Sequence, residues 1–304
     1  MSNSAHNRYQ FSNSSMSQGM SQPSLPCSKS HRLPGMIRYG MACLEVVAVT
    51  IALSWAGVAR ADLQPPETAP DDLVQLLSEI DMAANRRDLD QIMQHVSEEF
   101  THADGLDYNT LQEATQAFWD RFDSLSYNTE LIGWDAEDDV WTVETRTTVV
   151  GLDVIGGRSG RLRSVVESQQ QFDNALMVSQ TITREESQLT LGDNAPIVDV
   201  NLFEKVGMGE SYSFDAIVLE PLGDRILLGT AFDEPVDVNG YMTPAIIDLD
   251  LLSAGGLFKV GVAPAELGDR WVSAVVVRDD GITALTRRLQ VVAPSEASDD
   301  LQAE

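Results

Sequence analysis

Phe100-Thr101-His102-Ala103-Asp104-Gly105-Leu106-Asp107-Tyr108 follows two helix-like segments and precedes a third, and its reading decides the fold. It carries one of the two histidines found after residue 61, two positions from a carboxylate and close to a tyrosine. If the segment is extended, strand alternation puts His102 and Asp104 on one face. An imidazole titrates near neutrality, and a neighbouring carboxylate or phenol orients it or raises its pKa. His102 as general base, Asp104 as its orienting group and Tyr108 as a hydrogen-bond donor are therefore the candidate catalytic residues.

Upstream, Leu73, Leu76, Leu77, Ile80, Ala83 and Ala84 recur at helical spacing from Asp71 onward. Asp88 followed by Gln91 resembles a capping box, opening a second helix with Leu89, Ile92, Met93 and Val96 inward. Thr110 and Glu113 form a similar signal ahead of a third helix that buries Leu111, Ala114, Phe118, Trp119 and Phe122. Strand patterns then run over Tyr127–Trp134, Val140–Val154, Arg161–Phe172 and Leu176–Leu189, with Asp135–Asp139 and Asn174 at hairpin turns. Three helices and a meander predict an α+β cone over 71–192, three helices on a curled antiparallel sheet around a cavity. Phe118, Trp119, Ser168 and Gln180 are its candidate ligand-binding residues.

The order of these elements, Ala-Asn-Arg-Arg-Asp-Leu-Asp at 84–90 and Phe-Thr-His-Ala-Asp-Gly at 100–105 resemble the nuclear-transport-factor-2-like, SnoaL-like superfamily. The resemblance implies a cavity of the kind used by ketosteroid isomerases, polyketide cyclases and scytalone dehydratase, and by many non-catalytic binding domains. It places His102 near the aspartate base of the isomerases. Their tyrosine and protonated aspartate, which form the oxyanion hole, would fall at about Ile80 and Ser168, where neither donor type is present. An Asp-Arg-Asp hydrolase set, as in limonene epoxide hydrolases, is not visible either.

Residues 192–196, Gly-Asp-Asn-Ala-Pro, break the pattern. Beyond them, about seven short strand signals up to Val292 predict an all-β, Ig-like sandwich over 197–293. It has no cysteine pair, and Trp271 lies late, in the sixth strand.

The chain has 304 residues and a net charge of -27, a surface that repels phosphate backbones and makes nucleic acid a poor partner. Both cysteines, Cys27 and Cys43, precede residue 62, so the remainder holds no disulfide or thiolate site. Two histidines of unlike surroundings do not suggest a transition-metal site, and no cofactor fingerprint appears. Residues 1–35 read as a disordered extension, and 36–61 as a secretory signal with an apolar run from Val46 to Val58. Ala59-Arg60-Ala61 is its cleavage site, so Asp62 begins the mature chain, with 62–70 as linker and 294–304 as an acidic disordered tail.

The expected function is that of an exported, periplasmic or extracellular, non-catalytic module. Its cavity would bind a small apolar or amphipathic ligand, or it would serve as an assembly surface for a protein partner or a homodimer. The alternatives are a cofactor-independent lyase, isomerase or cyclase using His102, and a purely structural envelope protein.

Overall fold

A 3-10 turn at Pro66–Thr68 precedes Pro70, and α1 (Asp71–Arg86) starts directly after it, burying Leu73, Leu76, Ala83 and Ala84 as its periodicity requires. The computed structural model describes residues 63–293 apart from 222, 224, 244, 253 and 254. The expected extension, signal segment and acidic tail lie outside the described residues. Asp88 caps α2 (Leu89–Met93) by accepting the Gln91 N–H at 3.1 Å. That helix stops short of Val96, which begins β1 (Val96–His102). The third helix, α3 (Tyr108–Trp119), is capped by Asp107, not Thr110. The Asp107 carboxylate accepts the Thr110 N–H at 2.8 Å, and the Thr110 hydroxyl accepts the Asp107 N–H at 2.7 Å. Thr110 thus completes the box three residues into the pattern, where its hydroxyl answers the cap.

Four long strands follow: β2 (Ser124–Glu137), β3 (Val140–Ile155), β4 (Arg158–Asp173) and β5 (Leu176–Leu191). Two-residue turns join them. Gly156 and Gly157 both have positive φ, as do Asn174 and Ala175, the backbone that the right-handed twist of a tight hairpin demands. The remaining elements are β6 (Val198–Asn201), β7 (Lys205–Gly207), β8 (Ser211–Val218), β9 (Leu227–Pro235), α4 (Val238–Met242), β10 (Asp250–Leu252), β11 (Gly256–Val262), β12 (Arg270–Arg278) and β13 (Gly281–Val292).

The expected cone followed by a separate Ig-like sandwich is not what the chain builds. Strands hold 55% of the described residues and helices 18%, so the sheet, not a three-helix α+β layer, dominates. One ten-stranded sheet runs β10-β9-β12-β13-β5-β4-β3-β2, and β1 and β7 pair alongside it. Strands from both supposed domains share this sheet, because β13 pairs antiparallel with β5 from Ile282↔Leu191 to Arg287↔Glu186. Register makes the continuity concrete: Val149, Ser164, Ser187, Thr286 and Ser273 stand in one row across five strands. Within that row the Ser164 and Ser187 hydroxyls are 2.6 Å apart, and those of Ser273 and Thr286 2.7 Å apart, all buried.

Helices cover one face of this sheet, where Ala83, Phe118, Trp119 and Phe122 pack with Val149, Leu162, Val275 and Ala284. A second sheet, β11-β8-β6, covers the other face at its C-terminal end. There Tyr212, Phe214 and Ala216 meet Val272, Ala274, Leu285 and Leu289. Strands β12 and β13 are therefore buried on both faces, which explains why β12 reads as a nearly continuous apolar run, while β13 also carries Thr283, Thr286, Arg287, Arg288 and Gln290.

Because β4 occupies one edge of β5, β1 and β13 must share the other. Strand β1 runs parallel to β5 up to His102↔Gln180, and β13 takes over at Glu186. Between them β5 shifts register near Ile182–Arg184, and Glu185 lies at this change of neighbour.

Candidate functional site

The tight turn after β1 is built by its own backbone. His102 N–H donates to the Leu106 carbonyl at 3.0 Å, and Gly105 N–H donates to the His102 carbonyl at 2.9 Å. Gly105 sits at φ +87°, a conformation that a side chain would strain, and an added Cβ would lie 3.5 Å from Val238. The turn is tied to β5 by Ala103 N–H, which donates to the Gln180 carbonyl at 3.1 Å.

This turn aims Asp104 inward at the place where β5 changes neighbours. Arg288, on β13, grips the carboxylate with both terminal nitrogens, at 3.0 and 2.7 Å, the two-pronged geometry that favours guanidinium over ammonium. The Tyr241 hydroxyl, from α4, donates to the same carboxylate at 2.6 Å. Arg288 also donates to Asp269 at 2.8 Å, and its Nε lies 3.5 Å from Glu185. Glu185 accepts the Trp271 indole N–H at 2.9 Å. Tyr241 stands edge-on to both Trp271 and His102, with ring centroids 4.9 and 6.4 Å apart. Gly240 allows that closeness, since a Cβ there would come within 2.5 Å of the Trp271 ring.

One guanidinium thus answers three carboxylates in a nearly dry interior. Burial alone would raise Asp104, but Arg288, with smaller help from His102 and Tyr241, outweighs it and holds the carboxyl down at about 2. Burial pushes Glu185 and Asp269 up, and Arg288 only partly opposes it. Burial also lowers His102 to about 4, with the charge of Arg288 adding to it and that of Asp104 opposing it. The ring is neutral at pH 7, and its Nδ1 accepts the Asp104 backbone N–H at 3.0 Å, which leaves the ring proton on Nε2.

The candidate catalytic residues therefore come together only in part. His102 and Asp104 are adjacent and buried, yet the Asp104 carboxylate is engaged by Arg288 and Tyr241, and its backbone amide is what orients the imidazole. Tyr108 opens α3, half-buried against the Leu106 and Leu111 cluster, outside the Asp104 network. Phe118 and Trp119 are core residues at 1% and 2% exposure, and the Trp119 indole donates to the Tyr127 hydroxyl. Ser168 is buried with Thr145 and Gln170, their polar atoms 3.1–3.5 Å apart. Gln180 is fully buried beside His102, and its carboxamide has no hydrogen-bond partner among the described residues. Among the described residues, no group of three or more His, Cys, Asp or Glu side chains is placed to hold a metal ion.

Sequence reasoning missed Arg288, Tyr241, Asp269, Glu185 and Trp271 as members of one site. A signal was present. Arg287 and Arg288 are consecutive within a strand, so alternation must turn one guanidinium inward, and a buried cation requires a carboxylate.

Residues 193–292 match a family model described as Domain of unknown function (DUF8623). No curated protein matches the chain. Among solved structures, the chain is similar to an LEH-like epoxide hydrolase of M. tuberculosis, at 11% identity and a TM-score of 0.26. That match covers 38% of this chain and 84% of the other. A likeness at this level bears neither on the site nor on its chemistry.

The stretch matched by the family model contains Tyr241, Asp269, Trp271 and Arg288 but neither Asp104 nor Glu185. Expressed alone, residues 193–292 would leave the β13 edge bare and Arg288 without two of its three carboxylates. Such a fragment is expected to give no cooperative melting transition by circular dichroism, whereas residues 62–293 melt cooperatively.

Proposed function

We propose that the chain is an exported, non-catalytic module that works through contacts on its outer surface. The observation that carries this reading is the closed set of bonds around Asp104. A general base needs an accepting atom open to a substrate. His102 is 6% exposed, its Nδ1 is occupied, and its burial keeps it neutral. The network instead joins the turn after β1 to α4 and β13, and β5 to β12, and so fastens the N-terminal half of the fold to the C-terminal half.

What remains to meet a partner is the outside. Phe258, Val260 and Val262 are 65%, 77% and 67% exposed on a single strand, a concentration of large apolar side chains that marks contact surfaces. The net charge of -27 favours basic or neutral partners over nucleic acid or anionic lipid. Export follows from the apolar run Val46–Val58 and the small residues Ala59 and Ala61 around Arg60.

Native mass spectrometry of the protein recovered from an exporting host tests both halves of the proposal. The expected mass is that of a chain beginning at Asp62, with no small molecule retained. A stoichiometric small-molecule adduct would contradict the contact-module reading, and a chain retaining residues before Asp62 would contradict the cleavage site.

A further inference from the structure

Strand β11 pairs with β8 along one edge, and among the described residues no strand pairs with its other edge. Two bonds at its ends fix which backbone groups are free. Val218 N–H donates to the Gly255 carbonyl and Ala263 N–H donates to the Glu210 carbonyl, both register-matched positions of the pair. In an antiparallel ladder hydrogen-bonded positions alternate, so Leu257, Lys259 and Gly261 are spent on β8. Phe258, Val260 and Val262 therefore turn their N–H and C=O groups to the open edge, as their side chains stand out on the exposed face.

Natural edge strands are usually blunted by an outward lysine, a proline or a bulge. Here the one lysine, Lys259, is on the inner side and held by Asp233 at 3.1 Å. Beside the open edge lies a cavity of about 410 Å³ between β11 and the β9–β10 edge, lined by Thr230, Ala231, Asp250, Leu252 and Leu257 among others. A strand laid along β11 would point alternate side chains into this cavity and the rest beside Phe258, Val260 and Val262.

We propose that the open edge of β11 is a strand-addition site for an extended segment of another protein, with alternating apolar and basic residues. The inference rests on the reading of the chain as a contact module. Main-chain bonds would supply affinity, and the cavity and the apolar row would supply selectivity. Charge selects the basic class. Asp215 lies beside Phe258 on the outer face, Asp199 stands in the same face beside Ile217, and Asp250 lines the cavity. Lys259, which also lines the cavity, shares the Asp233 carboxylate with Arg270, so its charge is met in part. A second copy of this chain is the less suitable occupant, because two bodies of net charge -27 repel.

The probe is a lysine–valine alternating peptide of about seven residues, the length of an ordinary strand, added to the full chain and followed by backbone NMR and amide exchange. In the free protein the Phe258, Val260 and Val262 amides are expected to exchange faster than those of Leu257, Lys259 and Gly261. The peptide is expected to protect the first set. Methylating its alternate backbone nitrogens, exchanging its lysines for glutamates, or introducing Val260→Pro should each weaken binding about tenfold or more. Should Val260→Pro disturb the fold, Val260→Lys, at an exposed side chain, should weaken the peptide by charge alone. Equal binding of the methylated peptide would overturn the proposal. So would protection of the three amides without peptide, whether in the monomer or rising with a concentration-dependent dimer, since the edge would then be covered by the chain itself. A retained small molecule in mass spectrometry speaks only to the contact-module reading and leaves these edge measurements separate.

Discussion

Arg288→Met is expected to destabilise the fold by about 3–5 kcal/mol, the cost of removing one partner from a buried ion pair. The methylene stem and its packing are largely retained, so the loss reads the charge. Asp104, with its carboxyl held at about 2 by Arg288, would be left ionised in a site that excludes water. Asp269 and Glu185 would lose the cation that opposes their burial. A specific pH signature follows. Without Arg288 all three carboxyls are raised in the folded state, so the folded form binds protons more readily than the unfolded chain. Relative to the wild type, which shares the acid-side effect of His102, the stability of the variant should then improve as pH falls from 7 toward 5, and urea unfolding of both proteins at the two values checks it. A loss below about 1 kcal/mol at pH 7, or no recovery on acidification, would show that Arg288 is not the central cation.

The second large effect is an acid-side loss that belongs to His102. Its folded-state value of about 4 lies below the ordinary 6.5, so between these values the unfolded chain binds the proton and the folded one does not. Stability therefore falls as pH drops from about 6.5 to 4, by roughly 3 kcal/mol at most. Asp104 stays ionised across this window, so its bonds to Arg288 persist. The raised carboxyls of Glu185 and Asp269 act in the opposite sense. For that reason the quantity to measure is the difference between the wild type and His102→Gln, whose amide oxygen can still accept the Asp104 N–H. The wild-type stability should fall relative to the variant by that amount, and parallel curves would contradict a buried neutral imidazole.

Local signals carried much of this molecule. The spacing of Leu73, Leu76, Ala83 and Ala84 gave the inward face of α1, and Asp88 with Gln91 marked the start of α2. The hairpin turn at Asn174 followed from turn chemistry, whereas of the cluster Asp135–Asp139 only Asp138 and Asp139 form the turn and the first three residues extend β2. What periodicity cannot supply is the neighbour of a strand. It marked β5 and β13 as strands but could not give their shared edge, and so divided one sheet into two domains. The same limit applied to the site. His102 and Asp104 stood out because they are close in sequence, whereas the partner that decides their role, Arg288, is 184 residues from Asp104. A local reading joined the imidazole to the nearest carboxylate. The fold gives that carboxylate to a guanidinium and a phenol, and gives the imidazole a backbone amide.

The most direct test of the network is the protonation state of His102, read by nitrogen and carbon NMR of its ring from pH 8 to 4. The Nε2–H tautomer is expected throughout the neutral range, with no imidazolium until the pH approaches about 4. A ring that titrates near 6.5, or carries its proton on Nδ1 at pH 7, would contradict a closed structural junction and return His102 to the role of a general base.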